Sequence, residues 1–304
     1  MKEKKIKSLQ DFYLYELAFS NKYINLNNCY DPIITHYTSL EGFMGIVKNK
    51  LVWASSIECL NDISERLNIN EIFNEVIEEL IKEDMFFDKF KNLDIENYYF
   101  TIFEEEGIIK SHKISNPEIF VISLSLDEDC LPMWNYYTKN NIGEGYALSF
   151  YKNIDNIYGN KKFLVQEYPL VYSNKSKKEL IKSILRKCKI FYNGQEDDIL
   201  LKYIKQHIFA RLTDVYKNEK FEHEKEYRVL IVQDKEDREF EVKLREKNGL
   251  TIPYIEFPLN KIGDFAFVRI SPYLKDKNLT VACILNENGF SNVEVKNSKI
   301  PIRY

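Results

Sequence analysis

Glu224-Lys225-Glu226-Tyr227-Arg228-Val229-Leu230-Ile231-Val232-Gln233 decides how the chain is read. Its second half is a β-branched, apolar run, so the segment 225–233 reads as a strand destined for burial. Side chains alternate along a strand, so Glu224, Glu226 and Arg228 fall on one face. Two carboxylates beside an apolar run are costly to desolvate and repel each other, which can raise one pKa. Two readings follow. In one, the acids form a cleft pair that meets a developing positive charge. In the other, the segment is an edge strand with a solvated acidic face, or Glu226 simply pairs with Arg228.

Around this strand, the pattern predicts a mixed α+β fold. Residues 1–30 read as a helical lead-in. Ile33–Tyr37 and Leu51–Ala54 read as strands separated by a short helix capped by Thr38 or Ser39. From Ile69 to about Lys91, Ile72, Phe73, Val76, Ile77, Leu80 and Ile81 recur at helical spacing. Residues 97–112 also read as helical. Further strands are expected at 119–126, 146–151, 162–172, 239–244 and 253–257. A short helix carries Met133, Trp134 and Tyr137, and residues 174–217 form a helical insertion broken near Asn193-Gly194. The tail reads strand (265–270), helix (275–288), Gly289 C-cap, strand (293–295). With no repeat or low-complexity linker, residues 1–304 make one domain, with helical insertions at 69–112 and 174–217.

Composition narrows the function. The chain has 304 residues, 44% of them hydrophobic and 14% aromatic, enough for a large core. A net charge of −4 provides no global field to draw it onto nucleic acid. The five cysteines are scattered and never form a Cys-x-x-Cys pair, and no histidine stands at zinc-ligand spacing from them. That pattern leads us to expect a reduced, cytoplasmic protein without a metal. No apolar run resembles a signal-peptide core or a membrane span, so no membrane partner is expected. Lys161, Lys162, Lys175, Lys177, Lys178, Lys182, Arg186, Lys187 and Lys189 form the one candidate nucleic-acid patch. The same lysines also fit an ordinary solvated helix face.

Two other clusters join the acidic strand. Thr35-His36-Tyr37-Thr38-Ser39 closes a strand, so His36 could reach a ribose or phosphate, or could equally bond a backbone carbonyl. Ser125 precedes Trp134 and Tyr137, which lie three apart on a helix and could stack on an aromatic ring or belong to the core.

Taken in order, these pieces resemble a bacterial family known as domain of unknown function 2971. The matching text is His36-Tyr37-Thr38, Asn61-Asp62 with Glu65, Ser125, Met133-Trp134 with Tyr137, and Gly143 with Gly145. It continues through Glu224-Lys225-Glu226-Tyr227-Arg228 to Ser298, Ile300, Ile302 and Arg303. That family is distantly similar to ADP-ribosyltransferases. The resemblance implies a split, mostly antiparallel sheet and NAD as substrate. It implies His36 as the residue gripping a ribose hydroxyl and Glu226 as the catalytic glutamate, with Tyr37, Thr38, Ser125, Trp134, Tyr137, Glu224 and Arg228 around the cofactor. ADP-ribose would pass to a macromolecule, protein or nucleic acid, or NAD would be hydrolysed, as suits a toxin or phage-defence effector. The alternative is a non-catalytic binding module that recognises a nucleotide, nucleic acid or protein partner.

Overall fold

The computed structural model describes residues 33–59, 64–91, 99–105, 108–137, 144–152, 158–191, 201, 205, 215–247, 249–274 and 277–302. The expected lead-in at 1–30, the break at Asn193-Gly194, and Asn61, Asp62, Gly143 and Arg303 lie outside them.

Strand β5 (Pro117–Ser125) is the hub. One of its edges carries β9 (Glu226–Asp234) along its whole length, Pro117 opposite Asp234 and Ser125 opposite Glu226. β9 in turn pairs with β8 (Phe163–Pro169), which carries the short β7 (Tyr158–Gly159). The other edge of β5 is shared by two strands. β2 (Leu51–Ser56) pairs at Phe120 and Val121, whereas β1 (Ile33–Thr38) pairs only where Thr35 meets Ser125. Between those contacts β1 and β2 diverge, and each leads its own arm. β2 continues into β11 (Leu250–Pro258) and β10 (Lys243–Lys247). β1 continues into β6 (Tyr146–Lys152), β12 (Gly263–Ile270) and β13 (Glu294–Asn297). Every pairing is antiparallel except β12 with β13, which are joined through α5 (Asn278–Glu287). That is the strand-helix-strand tail read from the sequence, and Gly289 takes the left-handed conformation (φ 85°) after its helix. The whole is a mixed α/β arrangement around a large, open, mostly antiparallel sheet.

Helices cover both faces. α1 (Leu40–Asn49) begins at Ser39, whose hydroxyl accepts the Gly42 N–H at 3.3 Å. Any Cβ at Gly42 would run into the Thr38 hydroxyl, so Thr38 is committed to the entry of this helix. With α5, α1 packs Phe43, Ile46, Val47, Val281 and Leu285 on Ile34, Leu124, Leu148, Val229 and Ile231. α2 (Ser64–Glu83) and α4 (Asn174–Phe191) cover the other face. There Ile72, Phe73, Val76, Ile77 and Leu80 meet Ile181, Leu185, Val121, Tyr168 and Leu230. The alternation on β9 therefore serves two cores, so the strand is central and not an edge.

Four expectations need correction. The strand expected at 239–244 runs instead over Lys243–Lys247. The helix expected through Lys91 ends at Glu83; Asp84 then caps a 3-10 turn, Met85–Phe90. Residues 97–112 are not helical: β3 (Tyr99–Glu105) and β4 (Ile108–Ile114) form an antiparallel hairpin with a sheet of its own. Finally, Glu224 is not on the strand. It ends the 3-10 turn Glu219–Glu224, and Lys225, at φ 43°, turns the chain into β9.

Candidate functional site

The register of the hub places Thr35, Ser125 and Glu226 in one row. Alternation puts Ser123 and Arg228, which also face each other, on the same side two residues farther along. Glu226 sits at the strand entrance, only 4% exposed. Its Oε1 accepts the Ser123 hydroxyl at 2.8 Å and the Arg228 Nε–H at 2.8 Å. Its Oε2 accepts the Lys217 ammonium at 2.7 Å, and the same ammonium donates to Glu224 Oε2 at 2.6 Å. The two acids thus share a cation that neither the strand pattern nor the motif order had singled out.

The expectation that repulsion would raise a carboxyl pKa fails for Glu226. Burial works in that direction, but Arg228 and Lys217 outweigh it and hold the carboxyl below its usual range. Glu226 is therefore an anion at neutral pH. Burial likewise works against the Lys217 cation, and Glu226 and Glu224 outweigh it and raise its pKa. The Tyr172 hydroxyl accepts the Glu226 backbone N–H at 2.7 Å and closes the site from behind. Tyr137 borders it: burial first, then the charges of Glu224 and Glu226, push its hydroxyl up to about 12.

His36 arrives differently. It is out of phase with Thr35 and pairs with Leu148, so it does not share a face with Glu226 by register. Its imidazole turns to the bare stretch of the β5 edge where β1 and β2 diverge, and Nδ1 lies 3.2 Å from the Ser123 carbonyl. Ser123 therefore links the two: its carbonyl meets His36 and its hydroxyl meets Glu226. Burial lowers the His36 pKa, the Ser123 contact opposes this, and the nearby Arg245 charge adds to the lowering, so the ring is neutral at pH 7.

The other expected residues serve the frame. Ser125 is fully buried, donating to the Glu224 carbonyl at 2.7 Å and accepting the Asp127 N–H at 3.0 Å. It fixes the turn that carries Glu224 and has no face free for a cofactor. Tyr37 donates to the Asp127 carbonyl and accepts the Cys130 N–H. Trp134 is 1% exposed, packed edge-on against Tyr37 at 4.9 Å, with Nε1 donating to Asp129. An indole so enclosed cannot stack on a ligand; of the expected aromatic pair, only Tyr137 reaches the site. Ser123, Lys217 and Tyr172 were missed. Ser123 alone had a local signal, two residues before Ser125 on the same strand face.

The candidate nucleic-acid helix also changes character. Lys178 pairs with Glu75 (2.8 Å) and Glu79, Lys182 with Glu79 (2.8 Å), Arg186 with Glu83 (2.8 Å), and Lys189 with Asp84. Its charges meet the acidic side of α2 and the cap that follows it, which leaves little field for a polyanion. Among the described residues, no group of three or more His, Cys, Asp or Glu side chains is placed to hold a metal ion. Among them, too, no helix is long and apolar enough to cross a membrane.

Residues 133–229 match the model of a family described as "Protein of unknown function (DUF2971)". The family resemblance is supported over that stretch. It runs from the Trp134 helix into β9, so it includes Lys217, Glu224, Glu226 and Arg228 and leaves His36, Ser123 and Ser125 outside. No curated protein and no solved structure matches the chain.

Proposed function

We propose that the protein is ADP-ribosyltransferase-like and NAD-directed, transferring ADP-ribose to a macromolecule or hydrolysing NAD. The observation that carries this reading is the His36–Ser123–Glu226 series, set where β1 and β2 diverge along the β5 edge. Breaking the nicotinamide–ribose bond creates an oxocarbenium-like transition state. A carboxylate held ionised in a mostly dry site stabilises such charge, and removing a group of this kind costs roughly two to three powers of ten in rate. Neutral His36 is in the right state to hydrogen-bond a ribose hydroxyl through its remaining ring nitrogen. A role as toxin or phage-defence effector is suggested by the resemblance alone.

One observation favours the second reading, a non-catalytic nucleotide-binding module. Lys217 and Arg228 already occupy Glu226, so a ribose can reach the carboxylate only if Lys217 moves aside onto Glu224.

The test is nicotinamide release from NAD by the purified protein, alone and with cell lysate, beside Glu226→Gln and His36→Ala. Folding of each variant is checked by circular dichroism. Release that falls at least a hundredfold in folded Glu226→Gln supports the enzyme. No release by the folded wild type in either condition leaves the binding module standing.

A further inference from the structure

Most cations described so far meet a carboxylate. Two on β10 do not. Arg245 and Lys247 stand at alternate positions of the strand, hence on one face, and among the described residues neither forms an ion pair. The Arg245 side chain crosses over β11, and its Nη2 donates to Ser55 Oγ on β2 at 2.8 Å. On the way its guanidinium lies 5.3 Å from the centre of the Trp53 ring and 5.8 Å from that of Tyr254, while its buried Nε has no partner. The two rings pack on each other at 4.6 Å. Tyr254 is buried beneath this group, but Trp53 is 47% exposed, an unusual place for an indole on a sheet face. The neighbouring acid, Glu256, is taken by Lys243 at 2.7 Å. Burial lowers the pKa of Arg245, and burial with the Arg245 charge lowers that of Lys247.

The strip therefore combines an open aromatic surface with two cations that lack a counter-charge. Small cofactors are held in concave, enclosing pockets, whereas single strands lie on open platforms where bases stack on aromatic rings and phosphates meet Arg and Lys. The half-exposed indole on a three-stranded face fits the second case. We propose that the Trp53–Tyr254–Arg245–Lys247 face of β2, β11 and β10 binds single-stranded nucleic acid, one base stacking on Trp53 and the adjoining phosphate held by Arg245 and Lys247. This stands independently of the NAD reading.

The experiment is fluorescence anisotropy of labelled twelve-nucleotide oligo-U and oligo-dT, with a duplex of equal length, titrated with the full chain at several salt concentrations and without NAD. Variants are Trp53→Ala, Trp53→Phe, Arg245→Met and Lys247→Met, with Lys178→Met as the ion-paired control, each checked by its melting temperature. Wild type binds the single strands better than the duplex. Trp53→Ala weakens binding roughly tenfold, and Trp53→Phe recovers most of it. Arg245→Met and Lys247→Met each reduce the slope of log affinity against log salt by about one phosphate contact. Lys178→Met binds as wild type. Absence of single-strand binding at low salt overturns the proposal, as does equal binding of duplex, or unchanged binding by folded Trp53→Ala and Arg245→Met. Self-association abolished by Trp53→Ala in sedimentation overturns it too, because the face is then occupied by a second copy.

Discussion

Replacing Glu226 with alanine removes the carboxylate that Ser123, Arg228 and Lys217 share, and the magnitude of the damage can be worked from the contacts. Arg228 is 1% exposed, and truncating one member of a buried ion pair costs about 3–5 kcal/mol because the surviving charge stays desolvated. Two features pull toward the low end. Lys217 keeps Glu224 at 2.6 Å, and Arg228 has contacts besides Glu226. The expected loss is therefore about 3 kcal/mol, a large share of the ~5–15 kcal/mol that folded proteins hold in reserve. In the double variant Glu226→Met/Arg228→Met both charges leave together and apolar groups of similar length replace them. Such replacements are often close to neutral, so most of the loss returns, a coupling of at least about 2 kcal/mol. Urea unfolding at pH 7, followed by far-UV circular dichroism, measures all three proteins. The pH dependence has a definite sign. The folded carboxyl lies below its unfolded value of 4.5, so its stabilisation is present above that value and is lost as pH falls through the folded pKa. The advantage of wild type over the single variant shrinks in acid. A loss under about 1 kcal/mol for Glu226→Ala, or a double variant no more stable than the single one, refutes this account of the network.

Two further predictions use partly buried acids. On β8, burial lifts the Glu167 carboxyl to about 7, against the Tyr227 hydroxyl bond at 3.0 Å and the Lys152 charge, and its Oε1 has no partner. The folded state holds this proton more tightly than the unfolded one. Its contribution is complete below about pH 4.5 and lost as pH rises through 7. Glu167→Gln should then flatten the profile and stabilise the protein at pH 8 by about 2 kcal/mol, read from melting temperatures at pH 5 and pH 8; parallel shifts at both pH values contradict it. Asp129 accepts Trp134 Nε1, the Ser298 hydroxyl and the Lys299 N–H. Asp129→Ala should cost about 2–3 kcal/mol and speed trypsin cleavage after Lys296 and Lys299, detected by mass spectrometry; an unchanged cleavage rate speaks against the tether.

Where a structural period is local, the residues announced it. Ile72, Phe73, Val76, Ile77 and Leu80 face one core as their helical spacing required, and the run Val229–Val232 became a strand buried on both sides. The hairpin of Tyr99–Glu105 and Ile108–Ile114 was misread because dense apolar text without clean alternation fits a short helix as well as a strand. Glu224 was misplaced for a related reason. Alternation carries a side chain to the same face only while the backbone stays extended, and Lys225 leaves that conformation.

The sequence by itself determined the α+β class, the strand at 225–233 and the strand-helix-strand tail, because periodicity and β-branching act over a few residues. It also placed Glu226 and Arg228 on one face, as the period of a strand dictates. Only the tertiary structure decided what those charges meet. Lys217 reaches Glu226 across a 3-10 turn, Ser123 comes from a neighbouring strand, and His36 reaches Ser123 because β1 and β2 part along one edge of β5. The lysines of α4 likewise lost their apparent role when α2 brought its acids opposite them. A carboxylate's state and a lysine's freedom depend on the nearest polar and charged groups in space, and two of these, the Ser123 hydroxyl at Glu226 and the α2 carboxylates opposite α4, lie about a hundred residues away in the chain.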